Sequence, residues 1–366
     1  MDVTIYQIPG QYDDLQCFVH ARACQLSADG KELIMTMQKL DVRGNDIFSG
    51  LYSRRSNDGG KTWTAPELEP GLQAVPFYDG RTCTPCDATP LYHKKTGTVL
   101  LTGAEAFYKK DDPMELDSNG CWLPFYSTYN NDTKAFRDLR FMDIPKDVRP
   151  LGARPGCAQF IEESNGDILL PVYYKTDKDS VFSTAVIRCG FDGETLSFKE
   201  IGNGMTLDIA RGLYEPSICH HGDFYYLTMR NDTCGLYAVS RDGLHYSEPQ
   251  VWHFDNRTQL PTYNTQSHWL QHNGKLYLVY TRKAGNNDHV FRHRAPLFMA
   301  EVNTETMQVM RHTEQIVAPE RGARLGNFGV TYINDTCSII TAAEWMQPVG
   351  CEQYGSNNSV WVTVVE

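Results

Sequence analysis

One unit recurs six times along the 366 residues: an apolar strand, a turn carrying Gly or Asp, and a second apolar strand that ends in polar residues. The copies run over 20–39, 87–106, 157–175, 215–231, 267–283 and 327–345. Their turns fall near 30, 97, 166, 222, 274 and 335, a period of roughly 50–70 residues that suits four-stranded blades joined by long loops. Convincing long helices are absent. The expected fold is therefore all-β: a six-bladed β-propeller of four-stranded antiparallel blades, one domain over 1–366, with five or seven blades as the alternative counts. The last segment, 359–366, alternates like a strand and is expected to close the ring beside the N-terminal residues.

Residues 56–63, Ser-Asn-Asp-Gly-Gly-Lys-Thr-Trp, describe a tight turn between two outer strands. Ser56 and Asp58 can fold their side chains back onto turn N–H groups, and Gly60 takes a conformation that other residues resist. A weaker copy sits at Ser240-Arg241-Asp242-Gly243, with Tyr246 near the Trp position.

A propeller gathers the starts of its innermost strands around a central well, so a site there is scattered in sequence. Asp87 opens the second unit and Glu215 the fourth, beside Tyr214. Arg230 ends the strand that follows Glu215, and Arg294 precedes a later strand. Strand alternation puts His20 and Arg22 on one face of the first unit, and His268 is a further polar residue at a strand start. Charges are costly inside a β-core unless paired, which favours a wet polar cleft for this group. Longer inserts lie at about 107–150 and 284–293, and the charged, turn-rich 109–120 is expected to be a solvated loop or a rim loop that shapes a pocket.

Net charge is −11, which argues against nucleic acid, because phosphate binding needs a basic stripe. Local convergence of Arg leaves an acidic sugar open. No stretch approaches the length of an apolar membrane span. The 11 Cys include a single CxxC, at 83–86, with no His-linked metal spacing, and Asp111, Asp112 and Asp117 lack EF-hand spacing, so neither a metal nor a cofactor is expected. Reduced thiols and the missing signal-peptide pattern at the start point to the cytoplasm, or to the periplasm or outside if a leader was removed. The sequons at Asn131, Asn231, Asn256 and Asn334 carry no meaning in a cytosolic or bacterial setting.

The turn at 56–63 resembles the Asp-box (BNR repeat) of sialidases and other sugar-acting propellers. The wider repeat pattern is similar to that of the sialidase (neuraminidase) superfamily. That resemblance implies an Asp acid/base, a Glu assisting a Tyr nucleophile, and three Arg on the substrate carboxylate. Asp87 in Asp-Ala-Thr-Pro-Leu-Tyr-His-Lys-Lys-Thr-Gly resembles the acid/base segment. Glu215 and Arg230 resemble the Glu and the second Arg, and Arg294 in Arg-Ala-Pro-Leu the third. Two positions depart from the pattern. His20, with Arg22 two residues on, stands where the first Arg is expected, and Gly326-Asn327-Phe328 stands where the Tyr is expected.

Three functions follow. The first is a sialidase-like, exo-acting hydrolase for an acidic oligosaccharide or glycoconjugate, with Arg22, Arg230 and Arg294 as a carboxylate clamp and Asp87 and Glu215 as the acid–base pair. The second is a lyase at a uronate, with His20, His268 or Tyr214 abstracting the proton α to the carboxylate. The third is a glycan-binding propeller without catalysis.

Overall fold

The computed structural model describes every residue except Gln11, Tyr78, Pro113, 118–121 and Pro150. Its strands form six antiparallel sheets, which are the six blades of a β-propeller. Blade I holds Gln16–Gln25, Leu33–Asp41, Ile47–Ser56 and Glu67–Leu68 from the axis outward. Thr82–His93 and Thr98–Tyr108 are the long strand pair of blade II. Blade III starts at Ile161–Glu162 and Ile168–Tyr174, blade IV at Tyr214–His221 and Phe224–Arg230, and blade V at His268–His272 and Lys275–Tyr280. Blade VI joins both ends of the chain: Val3–Ile8 pairs with Val360–Val365, outside Cys337–Ala343 and Gly329–Asn334. The ring is thereby closed by hydrogen bonds between its first and last strands.

Each blade buries its faces against its neighbours, and the core is correspondingly divided. Ile34 and Leu51 of blade I meet Val99 and Leu101 of blade II. Leu100 then meets Ile168 and Leu170, and the series continues around to Ile339 and Val362, which meet Leu33 and Met35. The expected turns form where Gly30, Gly97, Gly166, Gly222 and Gly274 adopt positive φ. At 56–63, Gly60 N–H donates to Ser56 Oγ (2.9 Å), Lys61 and Thr62 N–H donate to Asp58 Oδ1, and the Trp63 indole donates to Gly60 O (2.9 Å). Ser240 and Asp242 repeat this arrangement. The 56–63 turn lies on the outer edge of blade I, between its third and fourth strands.

The feature that positions the site is a repeated bulge. His20, Asp87, Cys157 and Glu215 all have left-handed backbones, with φ of 57°, 52°, 58° and 46°. Register breaks accompany His20, Asp87 and Glu215. A bulge re-aims its side chain relative to strand alternation, and a non-Gly residue held there costs on the order of 1–2 kcal/mol. Four blades therefore carry a strained residue at the same place near the axis.

Candidate functional site

A cavity of about 780 Å³ opens at that end of the axis, with every blade contributing to its wall. Of the residues singled out from sequence, His20, Asp87, Glu215, Arg230 and Arg294 line it. Arg22, Tyr214 and His268 are not among its lining residues. The bulge between Val19 and Arg22 breaks the alternation that would have placed Arg22 beside His20. Arg22 is buried instead, donating through Nε to Phe328 O (3.2 Å) and through Nη1 to Ala88 O (3.1 Å). Tyr214 precedes the Glu215 bulge and is buried, its ring against Phe182 and the Arg230 guanidinium, its hydroxyl shared between Arg211 and Asp232. His268 lies within the blade V strand, its Nδ1 on Ser217 Oγ (2.8 Å) and its ring edge-on to Phe328. Burial drives its pKa down to about 3.

His20 is fixed on both sides. The Gln38 amide donates its N–H groups to Ser49 O and Pro85 O, so its oxygen accepts from His20 Nδ1 (3.1 Å). Nε2 then accepts from Asn327 Nδ2 at 2.7 Å. Burial lowers the His20 pKa to about 4, so the ring is neutral at physiological pH. Asp87 Oδ1 lies 3.2 Å from Nε2 and accepts the Cys157 thiol at 3.0 Å. Burial opposes the Asp87 charge, but His20, Arg22, the thiol hydrogen bond and Arg154 together hold its carboxyl below the ordinary range. Gly156 makes room for it: a Cβ there would stand 3.0 Å from Tyr173 Oη and 3.4 Å from Asp87 Oδ2.

Glu215 and Arg230 form an ion pair, with Arg230 Nη1 2.7 Å from both carboxylate oxygens. Asn264, itself left-handed at φ 51°, ties this pair to the next cation. Its side chain accepts from Arg230, and its main-chain carbonyl accepts from Arg294 Nε at 3.1 Å.

Several cavity groups carried no signal in the sequence pattern. Asp46 lies in the turn between the second and third strands of blade I, outside the repeated unit, and is exposed to the cavity. Crowding by protein, with the Asp87 and Glu215 charges, raises its carboxyl above the ordinary range against the pull of Arg324 and Arg294. Arg324 donates to Gln347 Oε1 (2.8 Å) and lies 4.0 Å over Trp345. Burial lowers its pKa to about 10, and burial with Arg230 and Arg324 nearby lowers that of Arg294 further. Among the described residues, neither Arg294 nor Arg324 has a carboxylate within ion-pair distance. A buried, unpaired guanidinium is costly, so both are poised for an anion from outside the chain.

Glu105 also lines the cavity, but its side chain is 1% exposed, 3.8 Å from Arg154. Burial raises its pKa from 4.5 to about 7. Between those values the folded chain keeps a proton that the unfolded chain releases, so stability falls as pH rises through this window. Glu105→Gln removes this pH dependence, so its stability relative to the parent is expected to rise by about 2–3 kcal/mol between pH 5 and pH 8, on top of a constant offset from the lost partner of Arg154. Chemical denaturation at the two pH values reads the difference, and a relative stability that does not change between them contradicts it.

Among the described residues no cluster of three or more His, Cys, Asp or Glu is arranged to hold a metal.

No family model matches the chain, and no curated protein matches it. Solved structures do. A protein of unknown function from Dyadobacter fermentans superposes with a TM-score of 0.71 at 16% identity, over 99% of both chains. The Hadza microbial sialidase Hz136 gives 0.61 at 15%, covering 95% of this chain and 65% of that one. Trypanosoma rangeli sialidase in complex with the inhibitor DANA gives 0.61 at 14%, covering 98% of this chain and 57% of that one. The chain thus spans less than two thirds of each of these two sialidases. At these identities the likeness is one of fold: this is a six-bladed propeller similar to the propeller of sialidases.

Proposed function

We propose that the protein is an exo-acting glycosidase that releases a carboxylate-bearing sugar from an oligosaccharide or glycoconjugate. The observation that carries this reading is one cavity lined by two buried guanidiniums without a carboxylate partner among the described residues, Arg294 and Arg324, together with two carboxyls, Asp46 and Asp87, the first raised above and the second lowered below the ordinary range. Oppositely tuned carboxyls are what an acid and a base require at one pH. The roles therefore differ from those expected of the sequence, in which Asp87 was the proton donor. Asp46 holds the proton and gives it to the glycosidic oxygen as the C–O bond breaks. Asp87, ionised, faces the cationic sugar that develops and takes the proton of the attacking water. Glu215 is held by Arg230 and orients that Arg. The sugar carboxylate sits on Arg294 and Arg324, the two guanidiniums without a carboxylate of their own, beside Arg230.

Nothing in the cavity favours the lyase reading. Tyr214 and His268 are not among its lining residues, and His20 is a weak base whose Nε2 is already occupied by Asn327. The test is release of 4-methylumbelliferone from glycosides of sialic, glucuronic and galacturonic acids against their neutral counterparts. Release confined to an acidic sugar, without an ultraviolet-absorbing unsaturated product, is expected. Release from neutral sugars alone, or none from any acidic sugar, contradicts the proposal.

A further inference from the structure

The cavity mouth carries a second kind of surface. Twelve large hydrophobic side chains are exposed among the described residues, and three of them line this one mouth: Leu116, Phe291 and Val349, at 37%, 40% and 59% exposure. Isolated exposed apolar residues need no explanation, but convergence on a functional opening does. The three come from loops of different blades, so sequence adjacency does not account for their meeting.

Their placement relative to Asp46 is specific. Tyr108 Oη donates to Asp46 O (2.8 Å) and accepts from Phe48 N–H (2.7 Å), so Tyr108 clamps the turn that carries Asp46. Leu116 is bridged to the backbone of that same Tyr108. On the other flank, Gln347 Nε2 donates to Val42 O (3.0 Å) and Gly44 O (2.8 Å), fastening the loop of Val349 to the same turn. The Gln347 oxygen also accepts from Arg324, whose guanidinium carbon lies 5.1 Å from the Phe291 ring centroid. The apolar rim thus borders both Asp46 and the carboxylate-binding Arg324.

Resting on the glycosidase reading above, we propose that Leu116 and Val349, with Phe291 beside Arg324, form the leaving-group subsite, and that the substrate is an acidic sugar joined to an apolar aryl or alkyl aglycone. The group that receives the Asp46 proton must leave past Asp46, where these three apolar side chains stand among the polar Asn45, Asp117 and Gln347. An apolar aglycone would cover the exposed Leu116 and Val349 side chains and take them out of water, which a further sugar would do less well.

Methyl and benzyl glycosides test this, because methanol and benzyl alcohol are leaving groups of nearly equal acidity. The probes are both anomers of the methyl and benzyl glycosides of sialic acid and of glucuronic acid. The expected result is a kcat/KM about tenfold higher for the benzyl glycoside, from partial burial of one aromatic ring. Leu116→Ser with Val349→Ser is expected to bring that ratio close to one, while Leu116→Met with Val349→Ile keeps it. Turnover of both glycosides at equal kcat/KM, or a preference that survives the serine pair, overturns the subsite and leaves the glycosidase reading standing. A serine pair that instead converts a dimer to a monomer in sedimentation, with the ratio unmoved, assigns the rim to self-association and overturns the proposal. Absence of turnover of every probe removes the glycosidase reading and the subsite with it.

Discussion

Asp46→Asn is expected to lower kcat by about 10²–10⁴ on alkyl glycosides, the usual worth of a positioned proton donor. The loss should be far smaller on aryl glycosides, whose leaving oxygen departs without a proton. The pH dependence has a definite sign. Asp46, with its raised pKa, is active while protonated, so kcat/KM falls as pH rises through it. Asp87, with its lowered pKa, is active while ionised, so kcat/KM falls only at acid pH, below the ordinary carboxylate range. In the parent the alkaline limb should be steep with alkyl glycosides and shallow with aryl ones, and Asp46→Asn should show only the acid limb on aryl substrates. An unchanged profile, or equal losses on alkyl and aryl substrates, contradicts the role given to Asp46.

Arg294→Met should move activity and stability in opposite directions. Arg294 is 4% exposed, has no carboxylate partner among the described residues, and is held well below its ordinary pKa by burial and by Arg230 and Arg324. Removing the guanidinium takes away the strongest contact proposed for the substrate carboxylate. Truncating one partner of a buried charge pair costs about 2–5 kcal/mol, so kcat/KM for the acidic sugar should drop by a factor on the order of 10²–10³. The same change relieves an uncompensated buried charge and keeps an apolar side chain of similar length. The fold should therefore gain about 1–2 kcal/mol, less whatever the lost bonds to Asn264 O contributed. A purely structural Arg would lose stability on replacement and leave the discrimination between acidic and neutral sugars unmoved.

The architecture was legible because its signal is periodic. The six strand–turn–strand units, the Gly-bearing turns and the 359–366 closing strand all appear where periodicity and turn chemistry put them. The site was legible only in part, for a specific physical reason. Alternation assigns faces along a regular strand, and the inner strands of blades I, II and IV break register near the axis. The bulges aim His20, Asp87 and Glu215 into the well and leave Arg22 and Tyr214 behind it. Asp46 lay beyond reach of the repeat because it sits in a turn toward the outer half of blade I. Arg324 and Phe291 take their meaning from loops that only the folded ring brings together. The opposite tuning of Asp46 and Asp87 depends on neighbours from several blades, which no local pattern encodes.

One cavity is proposed both to hold a sugar carboxylate and to break its glycosidic bond. A crystal structure of the protein soaked with sialic acid or glucuronic acid tests this most directly. The carboxylate is expected on Arg294 and Arg324, and the anomeric carbon between Asp46 and Asp87. A sugar bound with its carboxylate turned away from both Arg, or bound only outside this cavity, would contradict it.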